Sequence, residues 1–447
     1  MDTWISAIIA GSASGALIGL GPRLPVLGFC ALTPLGLYML HGSVLQLSVA
    51  AGLTGVLATV PGVWSKTLRG IVPIAAAAGG TGWALAFALA GWLVHARGPD
   101  WLVLALPLAA VLVALVPRAF GAPRWNGNPL AGTQERWLAV VHTARLGNIG
   151  DLATSVLLAL SSAALCLALT PGAHLLPLTA AVALCAGMLV FGWLSLRAAE
   201  RPVTSGTKVR VAALVADGPP PADGMATGLW PSSSPDYRDV PGTIARYQPL
   251  IERAVSQGAR ILVLPEVSVY LEHDTRPRWL EAVHAWARTH DVVIVAPYFN
   301  AELPRNELAV VDRRGVIAEH EKQFPARNLE PSRRHQLQVG PHSALAADEQ
   351  YALSTAICVD LDYGTTARSA KRAGALLSVP SNDWFDGFHL AHHRTAVWGV
   401  VMAGVPVVRS TGHGISAIFD RAGHVLAQQS SEHGPVVLVA DVEVGPA

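Results

Sequence analysis

The chain has 447 residues, too many for one average domain, and combines 51% hydrophobic with 14% charged residues at a mean hydropathy of +0.40. That balance is unusual for a soluble protein, and a net charge of +1 leaves no electrostatic footprint for nucleic acid. Four cysteines, Cys30, Cys166, Cys185 and Cys358, make no CxxC pattern or disulfide framework.

The charge is unevenly spread. Residues 1–196 hold eight Lys/Arg and four Asp/Glu, and the remainder holds 24 and 27. Seven apolar stretches follow one another in the first part: Ile5–Leu20, Leu24–Leu40, Val44–Val60, Ile71–Val94, Trp101–Val116, Leu152–Leu169 and Leu175–Leu196. Each is near the roughly 17–25 residues that cross a hydrocarbon core, which predicts a polytopic helical membrane domain of about seven spans. The opening "MDTWIS" lacks the basic region of a cleaved signal. Small-residue runs such as "GSASG" and "AAAAGGTG" suit close helix packing in lipid. With seven spans, the Lys/Arg near span ends fall on the side of the C-terminal half, Arg97 excepted, which by the positive-inside tally puts that half in the cytoplasm.

"RAAERPVTSGTK", residues 197–208, reads as membrane exit and linker. From 209 to 447 the pattern becomes that of a soluble α/β domain. "VRVAALVA" is a strand, followed by a Pro/Gly/Ser-rich loop that contains Trp230. "IARYQPLIERAVSQG" has helical spacing and leads into the strand "ARILVLPE"; the helix "RPRWLEAVHAWARTH" leads into "VVIVAPYF". "LAVVDRRGVIAEHEK" reads as a hairpin turning at Arg-Gly. "YALSTAICVD", "GALLSVPS", "PVVRSTGHGISAIFDRAGHVLAQ" and "PVVLVADVEV" complete a mixed sheet.

Three of these elements end on reactive groups, in the order Glu266, Lys322, Cys358. A thiolate attacking an acyl carbonyl, a carboxylate taking the thiol proton and an ammonium facing the oxyanion make one reaction class. Two aspartates just behind Cys358 would raise its pKa, so a base and a positive charge must come from elsewhere. A buried filler cysteine, a solvated strand-end glutamate and a surface hairpin lysine are the plain alternatives for these three residues.

On these residues the chain resembles the nitrilase (carbon–nitrogen hydrolase) superfamily, and over nearly its whole length it is similar to the bacterial apolipoprotein N-acyltransferase family. The most specific stretch is "VPSNDWFDGFHLAHHRTAVWGVVMAGVPVVRSTGHGISAIFDRAGHV", and "GNPLAGTQERWLAVVHTARLGNIGDL" resembles the segment before that family's sixth span. The resemblance implies an αββα sandwich after the membrane domain, with Glu266 as base, Lys322 as oxyanion partner and Cys358 as nucleophile. It matches Glu330 to a second glutamate after the lysine, and sets Asp360 where the family has Glu. Asn382 and Trp384 fall in the Ser-Asn-Asp segment. The implied reaction moves an acyl chain from a phospholipid donor, through a thioester, to the N-terminal amine of a diacylglyceryl-modified lipoprotein. The site is then on the outer face of the bacterial inner membrane, against the charge tally. No cofactor or metal is expected. The alternative is a membrane-tethered amidase or nitrilase-type hydrolase.

The chain departs from the family at several points. Val359 replaces Tyr, Asp360 is shorter than Glu, Met402 stands where Glu is expected, and "KQFPARNLEP" is a loose match. The interval from Lys322 to Cys358 is short, and no apolar span follows the α/β half. Glu330 could equally pair with Arg327 or Arg333, Asp360 could cap a turn, and Asn382 and Asp383 are turn formers. His389, His392 and His393 have i, i+3, i+4 spacing, read as a partly exposed helix face rather than a metal site. Trp230 is a candidate for touching the bilayer interface or an acyl chain, or a plain exposed aromatic.

Overall fold

A computed structural model describes residues 3–63, 72–119, 134, 137–148, 150–172, 174–202, 206–216, 235–325, 342–346, 348–363, 365–383, 389–431 and 434–445. The chain forms two units, Met1–Ala198 and Ala199–Ala447.

In the first unit the apolar runs are helical: α1 (Thr3–Leu20), α2 (Thr33–His41), α3 (Val44–Val63), α4 (Val72–Arg97), α5 (Leu102–Ala119), α6 (Asp151–Leu169) and α7 (Leu175–Glu200). Their facing sides bury Leu35, Met39, Leu47, Phe87, Leu106 and Cys166 in one cluster. Small residues let the backbones meet. A Cβ on Gly11 would lie 2.3 Å from the Ala50 carbonyl oxygen of α3, and the Thr54 hydroxyl donates to the Gly11 carbonyl at 2.9 Å.

Among the described residues, three helical segments are long and apolar enough to cross a membrane: Ala76–Arg97, Asp151–Leu169 and Leu175–Glu200. The seven apolar runs of the sequence thus correspond to three candidate spans and to shorter apolar helices, Trp4–Leu20, Pro25–His41, Val44–Thr59 and Pro99–Leu115. Leu24–Leu40 departs furthest. It breaks into a 3-10 helix, Pro25–Cys30, and the nine-residue α2, each with proline in its first turn, where the missing N–H favours a helix start over a continuous helix. Of the three candidates α7 is the most exposed, with only 11% of its apolar window buried and Leu175, Leu176, Val190 and Trp193 on the surface. α7 also continues to Glu200, into the stretch read as linker.

The second unit is built on two sheets. β1 (Thr207–Val215), β2 (Ile261–Val263), β3 (Tyr270–Leu271), β4 (Val293–Asn300), β5 (Arg305–Asp312), β6 (Gly315–Glu321) and β15 (Val436–Val444) form the first, in the order β15-β1-β2-β4-β5-β6 with β3 beside β4. The second runs β14-β13-β11-β9-β8-β7. It is made of β7 (His342–Ala346), β8 (Glu349–Thr355), β9 (Leu376–Ser378), β11 (Val407–Arg409), β13 (Ile415–Phe419) and β14 (Val425–Ser430). A short parallel pair, β10 (Ser381–Asn382) and β12 (Thr411–Gly412), extends beyond β9 and β11.

β1 shows why the layers stack as they do. Val209, Val211, Ala213 and Val215 pack between the sheets with Leu353, Leu376, Val408 and Ile418. Ala212 and Leu214 face the opposite way, against α8 (Val240–Ser256) and α9 (Thr275–His290). Both faces are covered, so the strand reads as a continuous apolar run. Trp279, Val283, Trp286 and Ala287 give α9 its buried stripe. α10 (Thr365–Ala373) and α11 (His389–Ala403) contact strands of the second sheet. The result is an αββα sandwich. Within it β1, β2 and β4 run parallel in one sheet, and β8, β9 and β11 in the other.

Candidate active site

The carboxyl ends of those parallel strands carry the predicted acid and thiol. Both side chains sit beyond the strands rather than on them. β2 stops at Val263 and Pro265 has no N–H to continue the ladder, so Glu266 lies in the following turn. β8 stops at Thr355, and Cys358 opens a 3-10 helix, Cys358–Tyr363. Val267 (φ 53°) and Cys358 (φ 53°) are both in the left-handed region. For β-branched Val267 that conformation is a local strain of about 1–3 kcal/mol, held by surrounding structure.

Glu266, Lys322 and Asn306 form one buried unit. Lys322 Nζ donates to Glu266 Oε1 at 2.7 Å, and Asn306 Nδ2 donates to the same oxygen at 2.6 Å. The Lys322 backbone N–H donates to the Asn306 backbone carbonyl at 2.9 Å, so one residue on β5 holds the Glu266 carboxylate through its side chain and the Lys322 backbone through its own. Glu266 is 1% exposed and Lys322 2%. Charges removed from water this far persist only with a partner and added hydrogen bonds.

Cys358 is partly buried at the edge of the inter-sheet core. Its N–H donates to the Pro380 carbonyl at 2.7 Å, while the Glu266 N–H donates to Ser381 O at 3.2 Å and Asn382 Nδ2 donates to Glu266 O at 3.0 Å. Residues 380–382 therefore bond the backbones of both the thiol and the acid. Asp360 makes a second link: its carboxylate accepts from the N–H groups of Ile357 (3.2 Å), Gln323 (3.2 Å) and Phe324 (2.8 Å). The chain just after Lys322 is thus stapled to the chain around Cys358. Asp360 is fully buried, with three N–H donors facing its charge.

The structure thus brings Glu266, Lys322, Cys358, Asp360 and Asn382 into one hydrogen-bonded assembly. Val359 is buried in the 3-10 helix. Trp230, Glu330 and Trp384 lie outside the described residues. One expectation is corrected: His392 is not on a partly exposed helix face but 5% exposed, with Nδ1 2.5 Å from Asp383 Oδ1. The same ring nitrogen is 2.9 Å from Arg409 Nη2, so the imidazole sits between a buried carboxylate and a buried guanidinium. Among the described residues, no group of three or more His, Cys, Asp or Glu is placed to hold a metal ion.

Residues 228–445 match the family model for carbon-nitrogen hydrolase. They form a carbon-nitrogen hydrolase domain. Similar solved structures include a mutant amidase from Nesterenkonia sp. AN1, described with the acetamide moiety of fluoroacetamide added covalently at its active-site cysteine. It is 17% identical, covering 52% of this chain and 90% of that one, with a TM-score of 0.41. A carbon-nitrogen hydrolase superfamily protein from Xanthomonas campestris is 13% identical over 54% of this chain and 91% of its own, with a TM-score of 0.39. No curated protein matches the chain.

Beside the acid, the carbon-nitrogen hydrolase domain holds a cavity of about 60 Å³ bounded by Tyr237, Glu266, Ser268, Asn382 and His413. Tyr237 Oη and His413 Nε2 meet at 3.0 Å across it, and burial pushes the His413 pKa down. Sequence reasoning passed over Asn306, whose place at the start of a polar strand end, "RNELAVVD", carries no signal. It also passed over Arg409, which is 1% exposed, although an arginine inside the apolar run "VVRST" was a signal.

One partly buried histidine, His393, sets a pH dependence. His393 stacks on Phe419 and its pKa is pushed down to about 4, first by burial and then by the Arg409 charge. The unfolded chain, with a histidine near 6.5, binds the extra proton more readily in this window, so stability falls with pH between about 6.5 and 4. His413, whose pKa burial also pushes down, acts with the same sign. The difference between wild type and His393→Gln in thermal midpoint is expected to shrink as pH drops through that window; a constant difference would contradict it.

Proposed function

We propose that this chain is a membrane-embedded N-acyltransferase that moves an acyl chain from a phospholipid, through a thioester on Cys358, to the N-terminal amine of a diacylglyceryl-modified lipoprotein. The observation that carries this is the buried Glu266–Lys322 pair, linked through residues 380–382 to the Cys358 backbone, in a chain that also has helices apolar enough to cross a membrane. An acyl donor explains both parts. Each CH₂ of its chains costs about 0.8 kcal/mol to expose to water, so such a substrate is met where it resides.

Glu266 takes the Cys358 proton, and the thiolate adds to the ester carbonyl. Lys322, already beside Glu266, supplies positive charge toward the developing oxyanion. Collapse breaks the ester C–O bond, and the proton on Glu266 goes to the leaving lysophospholipid oxygen. The acceptor amine then adds to the thioester and passes its proton by way of Glu266 to the departing Cys358 sulfur. The amide is released and the thiol restored. Amine must outcompete water for the thioester, which a partly dehydrated site promotes. The site works on the outer face of the inner membrane, where that acceptor would be met.

The family match to carbon-nitrogen hydrolases favours a second reading, in which water takes the acyl group. The two divide on products. With phospholipid vesicles and a diacylglyceryl-cysteine lipopeptide, the acyltransferase yields N-acylated lipopeptide and lysophospholipid in equal amounts. Free fatty acid in place of N-acylated lipopeptide would support the hydrolase.

A further inference from the structure

Segment 380–383 touches both halves of the candidate site, and its far end is held by a buried charge cluster that the proposed reaction does not use. The ladder accounts for part of its placement: the Ser381 N–H donates to Ser410 O at 2.7 Å and the Asp383 N–H to Gly412 O at 2.8 Å. The side chain of Asp383, 2% exposed, adds a second anchor. Its Oδ1 lies 2.5 Å from His392 Nδ1 on α11 and 3.5 Å from Arg409 Nη2 at the end of β11. Arg409 is 1% exposed; its Nη2 is also 2.9 Å from His392 Nδ1, and its Nη1 donates to Ile415 O at 2.9 Å. The space is closed as well, since a Cβ on Gly414 would come within 2.2 Å of Asp383 Oδ2. Burying a guanidinium and a carboxylate is a poor route to stability, and it is a good route to fixing geometry, because hydrogen bonds to charged groups tolerate little displacement.

We propose that Asp383, His392 and Arg409 are positioning residues that fix Cys358 and Glu266 relative to one another through residues 380–382. None of the three acts on substrate. The proposal rests on Cys358 being the nucleophile, and the displacement it prevents is of the size that costs catalysis about 10²-fold per ångström.

The test is the second-order rate at which iodoacetamide alkylates Cys358 in the full-length, detergent-solubilised protein, read by mass on the Cys358 peptide well below each variant's thermal midpoint. Asp383→Asn is expected to slow alkylation about tenfold or more. Asp383→Asn with Arg409→Gln removes both charges together and answers the question if the single variant does not fold; it too is expected to be slow. A purely structural role predicts the opposite sign, because a loosened fold exposes a half-buried thiol and speeds its alkylation. Folded variants that react at the wild-type rate or faster overturn the proposal. A wild-type Cys358 no faster than a cysteine in a short peptide overturns the nucleophile reading, and this proposal with it.

Discussion

Lys322→Met is expected to lose acyl transfer and to destabilise the C-terminal unit by about 3–5 kcal/mol, the usual cost of leaving one member of a buried ion pair without its partner. The magnitude follows from exposures of 1% and 2% and from the shared Oε1, which would keep only the Asn306 donor among these two. Glu266→Gln with Lys322→Met is expected to recover much of the stability, because a neutral amide needs no counter-charge, and none of the turnover. Denaturant unfolding and a transfer assay on the three proteins separate these effects. A double variant as unstable as the single would mean that packing rather than charge dominates at this site, and transfer by Lys322→Met would remove the ammonium from the mechanism.

Cys358→Ala is expected to reduce transfer by roughly 10³-fold or more with little change in stability. The residue is partly buried, and its structural contribution runs through the backbone N–H to Pro380, which alanine keeps. The left-handed φ of 53° is already borne by a residue with a Cβ. Loss of fold together with activity would show that the sulfur serves packing.

Much of this arrangement could be read in the sequence because it depends on chain order and on apolar runs. β1 reads as an uninterrupted run because both of its faces are covered, and α9 keeps a helical stripe because only one face is. Glu266 and Cys358 stood out as polar groups at the ends of such runs. Less legible was whatever depends on residues far apart in sequence. Asn306 acquires its role from a carboxylate 40 residues upstream. Asp360, which local reading left between a cap and a site residue, accepts from Gln323 and Phe324 some 36 residues before it. His392 looked like a surface residue because its partners, Asp383 and Arg409, come from other elements. α10, with the charged sequence "TTARSAKRA", lacks the apolar run that marked the others. The break within Leu24–Leu40 was signalled by Pro25 and Pro34, but composition alone outweighed them.

The central claim is a covalent acyl group on Cys358, and intact mass tests it directly. The purified protein and Cys358→Ala are incubated with phospholipid and no acceptor, then weighed. The account predicts one added acyl mass on the wild type alone, discharged when a lipopeptide amine is supplied. An unmodified wild-type protein that still releases lysophospholipid, or an adduct that also forms on Cys358→Ala, would contradict it.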